Sequence, residues 1–129
     1  MDIRTHRGID PSLCGTPVRL ADGRCRVEMT PSEQMTADDS GLIHGGFVFG
    51  MADYAAMLAV NHPNVVLAGA DCRFYKPVRA GERLAAEARV AEGDEKRQSV
   101  EVRVLREDVE VFSGRFDCVV LKDHVLKDR

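Results

Sequence analysis

Two periods organise the apolar positions of this chain. From Gly46 to about Asn61 the residues are mostly Ala, Met, Leu, Phe and Val, and the run closes just before Pro63. A proline ring clashes with a continuing helix, so the segment is expected to form one α-helix of about four turns. Apolar residues fall on nearly every side of it, so other elements must wrap it. At about 16 residues it is shorter than the roughly 20 that span a bilayer, which makes it a core helix.

Elsewhere the period is two. A hairpin is expected from "TPVRL" and "RCRVEM", with Asp22-Gly23 supplying the positive φ angles of its turn. "VVLAGADCRFYKPV" reads as a long strand closed by Pro77. "RLAAEARV" alternates Leu84, Ala86, Ala88 and Val90 on one face, and "QSVEVRVL" alternates Val100, Val102 and Val104. The last strand, "VEVFSGRFDCVVL", puts Phe112, Gly114, Phe116, Cys118 and Val120 on one face, with a bulge expected at Gly114. "TPSEQMTADDSGLIHGG" is a loop or short helical turn, residues 1–16 a loosely ordered arm and residues 123–129 a charged tail. The fold class is α+β: one long helix wrapped by a curved antiparallel sheet of five or six strands, spanning residues 17–122.

Composition narrows the class. The 129 residues suffice for one domain with a real core. Eighteen basic against 21 acidic residues leave a formal charge of −3, without the basic excess of a nucleic-acid binder. Cys14, Cys25, Cys72 and Cys118 have no metal-site spacing and read as reduced, mostly core thiols, so no metal is expected. The first fifteen residues hold no apolar stretch of signal-peptide type, which points to the cytoplasm. His6, His62 and His124 have no ligand-like spacing and read as surface residues.

One residue conflicts with its surroundings. Between Gly45 and Val60 the only charged side chain is Asp53. Burying an ionised carboxylate is costly unless the group is paired or used. Asp53 therefore lies on a narrow solvent-facing stripe, pairs with an arginine, or serves as a base or nucleophile whose proton affinity apolar surroundings raise. Gly45 and Gly46 open the same helix, either as a tight turn or as an oxyanion site made by free N–H groups at the positive end of the dipole. His44 and Asp53 are nine residues apart, about 13 Å along the axis, and cannot meet at one carbonyl within a single chain. If both ends act, two helices must pass antiparallel, as in a two-fold dimer. Tyr54, about 100° round the helix from Asp53, reads as packing.

His44-Gly45-Gly46, Asp53 at this spacing and the later "RFYKPVRAGERLAAEARV" together resemble the hotdog-fold acyl-CoA thioesterases, particularly the phenylacetate-pathway type, over roughly residues 17–121. That resemblance implies an edge-to-edge dimer, often paired again into a tetramer, with active sites across the dimer interface and no cofactor. It implies that the Gly45 N–H polarises the thioester carbonyl, that His44 shapes the turn, and that Asp53 of the other subunit activates water or attacks directly. Gly46 and Phe47 would border the substrate, with Phe47, Met51 and Met57 setting pocket depth. Arg73, Lys76 and Arg79 are either a solvated strand end or a cluster for the CoA phosphates. Two features depart from the family pattern. Asp38 and Asp39 stand where relatives often carry an asparagine, and "VVLAGADC" lacks the Ser or Thr with which some relatives hold the water.

"RFYKPVRAGERLAAEARV" and "VFSGRFD" also resemble the effector domain of the bacterial fatty-acid-synthesis repressor, a hotdog module that binds malonyl-CoA. Thioester hydrolysis is the leading expectation, and a non-catalytic acyl-CoA binding or sensing module is the alternative. A hotdog dehydratase is a third reading, disfavoured because such enzymes pair their acid with a histidine in a different setting.

Overall fold

A computed structural model describes residues 1–129. Its elements run α1 (Pro11–Cys14), β1 (Thr16–Ala21), β2 (Arg24–Met29), a 3-10 turn (Glu33–Met35), α2 (Gly45–Val60), β3 (Val65–Phe74), β4 (Leu84–Gly93), β5 (Arg97–Arg106) and β6 (Val109–Val120). The six strands form one antiparallel sheet in the order β1-β2-β4-β5-β6-β3. This is the hotdog arrangement, with α2 lying across the inner face of the sheet. No helix is long and apolar enough to cross a membrane.

The strand alternation places the core. Val27, Ala86, Val104 and Phe112 stand opposite one another across β2, β4, β5 and β6 and are wholly buried. They form one inward row under α2, whose own buried residues include Met51, Ala52, Ala55, Met57 and Leu58. Each fully buried aliphatic side chain contributes about 1.5–3 kcal/mol by leaving water, so rows like this one hold the helix in place. Asn61 ends α2 in the left-handed conformation, its N–H donating to Met57 O at 2.8 Å.

Three local expectations are corrected. In the Asp22-Gly23 turn only Gly23 has positive φ (74°). The bulge of β6 lies at Val111, where the register shifts between Val104 and Leu105, turning both Val111 and Phe112 inward. Gly114 sits in regular pairing, and its missing side chain makes room for Phe116, whose Cε1 would lie 2.8 Å from an added Cβ. The third correction is the N-terminal arm, which packs against the domain. Thr5 is only 5% exposed, the Arg4 N–H donates to Asn61 Oδ1 at 2.8 Å, and Asn61 Nδ2 donates to Asp2 O at 2.8 Å. The end of α2 thus anchors the segment through hydrogen bonds, which leave no mark on hydrophobic periodicity.

Candidate active site

Two anchors set where α2 begins. The Ile43 N–H donates to Val78 O at 2.8 Å, and the His44 N–H donates to Met35 O at 3.0 Å. His44 is extended (φ −63°, ψ 131°), so the helix starts at Gly45. The His44 side chain does not cap the helix; its exposed ring lies edge-on to Phe47 at 6.3 Å. The Gly45 and Gly46 N–H groups have no acceptor in the chain, as expected for the first turn of a helix. A Cβ on Gly46 would lie 3.2 Å from the His44 ring, and one on Gly45 would lie 3.3 Å from Phe74. The glycine pair thus lets two aromatic rings close on the helix start. Beside it is a cavity of about 310 Å³ lined by Gly45, Ile43, Val48, Lys76 and the Phe74–Tyr75 turn.

Two turns further along α2, Asp53 borders a different cavity, of about 360 Å³. Its other walls are Met57, Pro63 and Asn64, the start of β3 (Val65 to Leu67), Thr5 and His6 of the N-terminal segment, and His124 and Val125 of the tail. Asp53 forms no ion pair, so the arginine-paired alternative does not occur. Its Oδ1 is the one buried side-chain oxygen or nitrogen in the chain without a hydrogen-bond partner. Desolvation pushes the carboxyl up from 3.8 to about 6. An unpartnered carboxylate facing a cavity, with proton affinity close to neutrality, is chemically equipped to take a proton from water.

The remaining expected site residues do not converge in one chain. Phe47 is half-buried, and Met51 is wholly buried in the core, whereas Met57 reaches the Asp53 cavity. Arg73 points to the outer face of the sheet and pairs with Asp71, Lys76 borders the Gly45 cavity, and Arg79 borders neither cavity. Asp38 accepts hydrogen bonds from the N–H and hydroxyl of Ser40, which hold its carboxyl below the usual range. Asp38 and Asp39 are exposed and border neither cavity. The largest concavity, about 770 Å³, lies on the outer face among interleaved Arg and Glu side chains and includes neither Gly45 nor Asp53. Arg26 and Arg103 both bond Glu87 there, at 2.6 and 3.0 Å.

The model of the thioesterase superfamily matches residues 40–113, which include both Gly45 and Asp53. The chain belongs to the thioesterase superfamily. An uncharacterized protein of Pyrococcus horikoshii, known from its crystal structure, is 48% identical, with 98% of this chain and 97% of that one covered and a TM-score of 0.96. A mutant of the phenylacetic acid degradation protein PaaI of Thermus thermophilus is 27% identical, with 87% and 100% coverage and a TM-score of 0.79. Among curated proteins, the methylthioribose-1-phosphate isomerase of Aquifex aeolicus is 52% identical over 95% of this chain, which spans 27% of that protein's length. Transcription factor FapR of Thermoanaerobacter sp. is 28% identical over 98% of this chain, which spans 63% of its length.

Nothing in the sequence marks Thr5 and His6 as neighbours of Asp53. His6 is half-buried rather than a free surface residue, because the anchored segment folds over the Asp53 cavity. The only local signal was a polar Thr-His pair within a short charged stretch, which carries no information about a distant partner.

Proposed function

We propose that the chain is a cytoplasmic, homo-oligomeric acyl-CoA thioesterase whose active site pairs Asp53 of one subunit with the Gly45 N–H of another. The observation that carries this reading is the position of β3. It is an edge strand, its start (Val65, Val66 and Leu67) lines the Asp53 cavity, and the residues from its end onward (Phe74 to Val78) line the Gly45 cavity. A two-fold axis near Gly69 and Ala70 would pair β3 antiparallel with its own copy. The start of one strand would then lie beside the end of the other, bringing each Asp53 cavity to the partner's Gly45 cavity. The same pairing would cover a ten-residue free edge and the exposed Phe74 and Tyr75, features that proteins seldom leave open.

In this arrangement the thioester oxygen accepts a hydrogen bond from the Gly45 N–H at the positive end of α2. As base, Asp53 takes a proton from water while the water oxygen attacks the carbonyl carbon. The oxyanion collapses, the C–S bond breaks, and the thiolate recovers the proton from Asp53. As nucleophile, Asp53 would form a mixed anhydride that water opens. In single turnover in ¹⁸O-water, label on Asp53 identifies the second route, since water that opens the anhydride at the Asp53 carbonyl carbon leaves its oxygen there. Lys76, at the rim of the Gly45 cavity, is the basic residue placed to meet a CoA phosphate.

Subunit complementation tests the shared site. Gly45→Pro deletes one N–H at a helix position that tolerates proline, after a residue already extended. Mixed with Asp53→Asn under subunit exchange, it should restore about a quarter of wild-type thiol release, because half the dimers then hold one intact site of two. Two inactive variants that stay inactive when mixed would sink the cross-subunit site. Similarity to transcription factor FapR favours a second reading, an acyl-CoA-sensing module. Tight acyl-CoA binding by the wild type without thiol release would establish that reading instead.

A further inference from the structure

We propose that His6 is the positioning residue that holds the attacking water at the Asp53 carboxylate, an inference that rests on the thioesterase reading above. The cavity wall limits the choice. Besides Asp53, its polar side chains are Thr5, His6, Asn64 and His124. Asn64 Nδ2 donates to Lys122 O at 3.2 Å, and the Thr5 hydroxyl shares a 2.8 Å hydrogen bond with His6 Nδ1. His124 lies in the exposed tail, with its Nδ1 accepting from the Leu126 N–H at 3.0 Å. His6 and Asn64 are both half-buried; His6 is the one whose ring is held at Nδ1 while its Nε2, able to accept from water, is unpartnered in the chain.

The backbone keeps it there. His6 has φ 52°, the left-handed region that a non-glycine residue occupies only at a conformational cost. Such a conformation persists where the surroundings fix it, and here they do so on both sides. Thr5 is buried, the Ile9 N–H donates to His6 O at 3.3 Å, and residues 2 and 4 are tied to Asn61. Asn61 ends the same helix that carries Asp53, so one rigid element sets the positions of both groups. Burial also lowers the proton affinity of the imidazole, keeping it neutral at pH 7.

The step requires the tautomer in which Nδ1–H donates to Thr5 Oγ1, leaving the Nε2 lone pair toward the cavity. Water then donates one hydrogen to His6 Nε2 and the other to Asp53. Its oxygen attacks the thioester carbon, the second hydrogen passes to Asp53 and later to the departing thiolate, and His6 ends unchanged.

The test compares kcat and KM of His6→Ala, His6→Gln, His124→Gln and Asp53→Asn with the wild type, with melting temperatures alongside. Misplacing a reactant by about 1 Å costs up to about 100-fold, so His6→Ala should lose roughly 10- to 100-fold in kcat with KM within about twofold. His6→Gln, whose amide oxygen can stand near Nε2, should recover to within about fivefold of the wild type. In ¹⁵N spectra the wild-type ring should carry its proton on Nδ1. The proposal is overturned by a His6→Ala kcat within twofold of the wild type while Asp53→Asn is inactive; the thioesterase reading then stands alone. It is overturned equally if Ala and Gln variants lose activity together with melting temperature, or if His124→Gln loses more than His6→Ala. A wild type that hydrolyses no acyl thioester removes both readings.

Discussion

Asp53→Asn should make the protein more stable above pH 6 while abolishing its activity. Because burial raises the Asp53 carboxyl from 3.8 to about 6, the folded chain binds a proton in that window that the unfolded chain has released. Stability from this group therefore falls as pH rises from about 4 to 6 and is level on either side. The roughly two-unit shift corresponds to about 3 kcal/mol, and solvent reaching the carboxylate through its cavity reduces the expected effect to about 1–2 kcal/mol. Asparagine has the same shape and does not titrate. The orphaned position of Oδ1 costs the variant something too, but equally at every pH. Urea unfolding of both proteins at one protein concentration, at pH 4.5 and 7.5, isolates the difference, since the other carboxylates cancel. Because the unfolded carboxyl is already mostly ionised at pH 4.5, about two thirds of the effect lies between those two pH values, and the variant should gain about 1 kcal/mol relative to the wild type across them. A stability difference that is the same at both would mean the carboxylate is not desolvated, and one of opposite sign would mean it has a cationic partner. In the same preparations thiol release should fall by about 10²–10⁴, the contribution of a positioned base. Wild-type kcat/KM should rise with pH through about 6 as Asp53 ionises.

Gly45→Pro should lose about 100-fold or more in kcat, as expected when an oxyanion donor is removed, whereas Gly45→Ala, which adds the same Cβ 3.3 Å from Phe74 but keeps the N–H, should lose far less; unchanged turnover in Gly45→Pro would exclude this N–H. Gly15→Ala should destabilise the chain by about 2–4 kcal/mol in urea unfolding, because Gly15 has φ 93° and an added Cβ would lie 2.7 Å from Val27 Cγ1 and 2.8 Å from Glu28 O. Of the four thiols, buried Cys25 and Cys118, both pushed up to about 12, should stay unreactive toward a disulfide reagent until the protein is unfolded. At most Cys14 and Cys72 should react in the native state.

The fold was legible wherever hydrophobic pattern decides structure. Val100, Val102 and Val104 alternate because one face of β5 is core, and the helix ends before Pro63 as its chemistry requires. Position 114 is ambiguous in the sequence because a glycine in a strand signals either a bulge or a close approach, and only the Phe116 ring tells which. At the site, the conflict between Asp53 and its apolar neighbours was visible in the chain, but its lack of an arginine partner was not. Eighteen basic residues could have supplied one, and the sheet instead turns many of them outward among its glutamates. Thr5 and His6 were invisible for a different reason. Their placement depends on hydrogen bonds to Asn61, 57 residues from Arg4, and such long-range polar contacts have no local period.

A single helix carrying both a dipole end and an acid has a geometric consequence. Gly45 and Asp53 are eight residues apart, about 12 Å of rise, so neither can serve the other's carbonyl. In the proposed site a second helix runs the opposite way, and the element that would set that register is the edge strand β3, whose two ends border the two cavities. Activity should therefore depend on dimer formation as steeply as on Asp53 itself. Dilution should reduce specific activity in parallel with the sedimenting dimer fraction. A fully active monomer would contradict the pairing, however well the separate residues fit their roles.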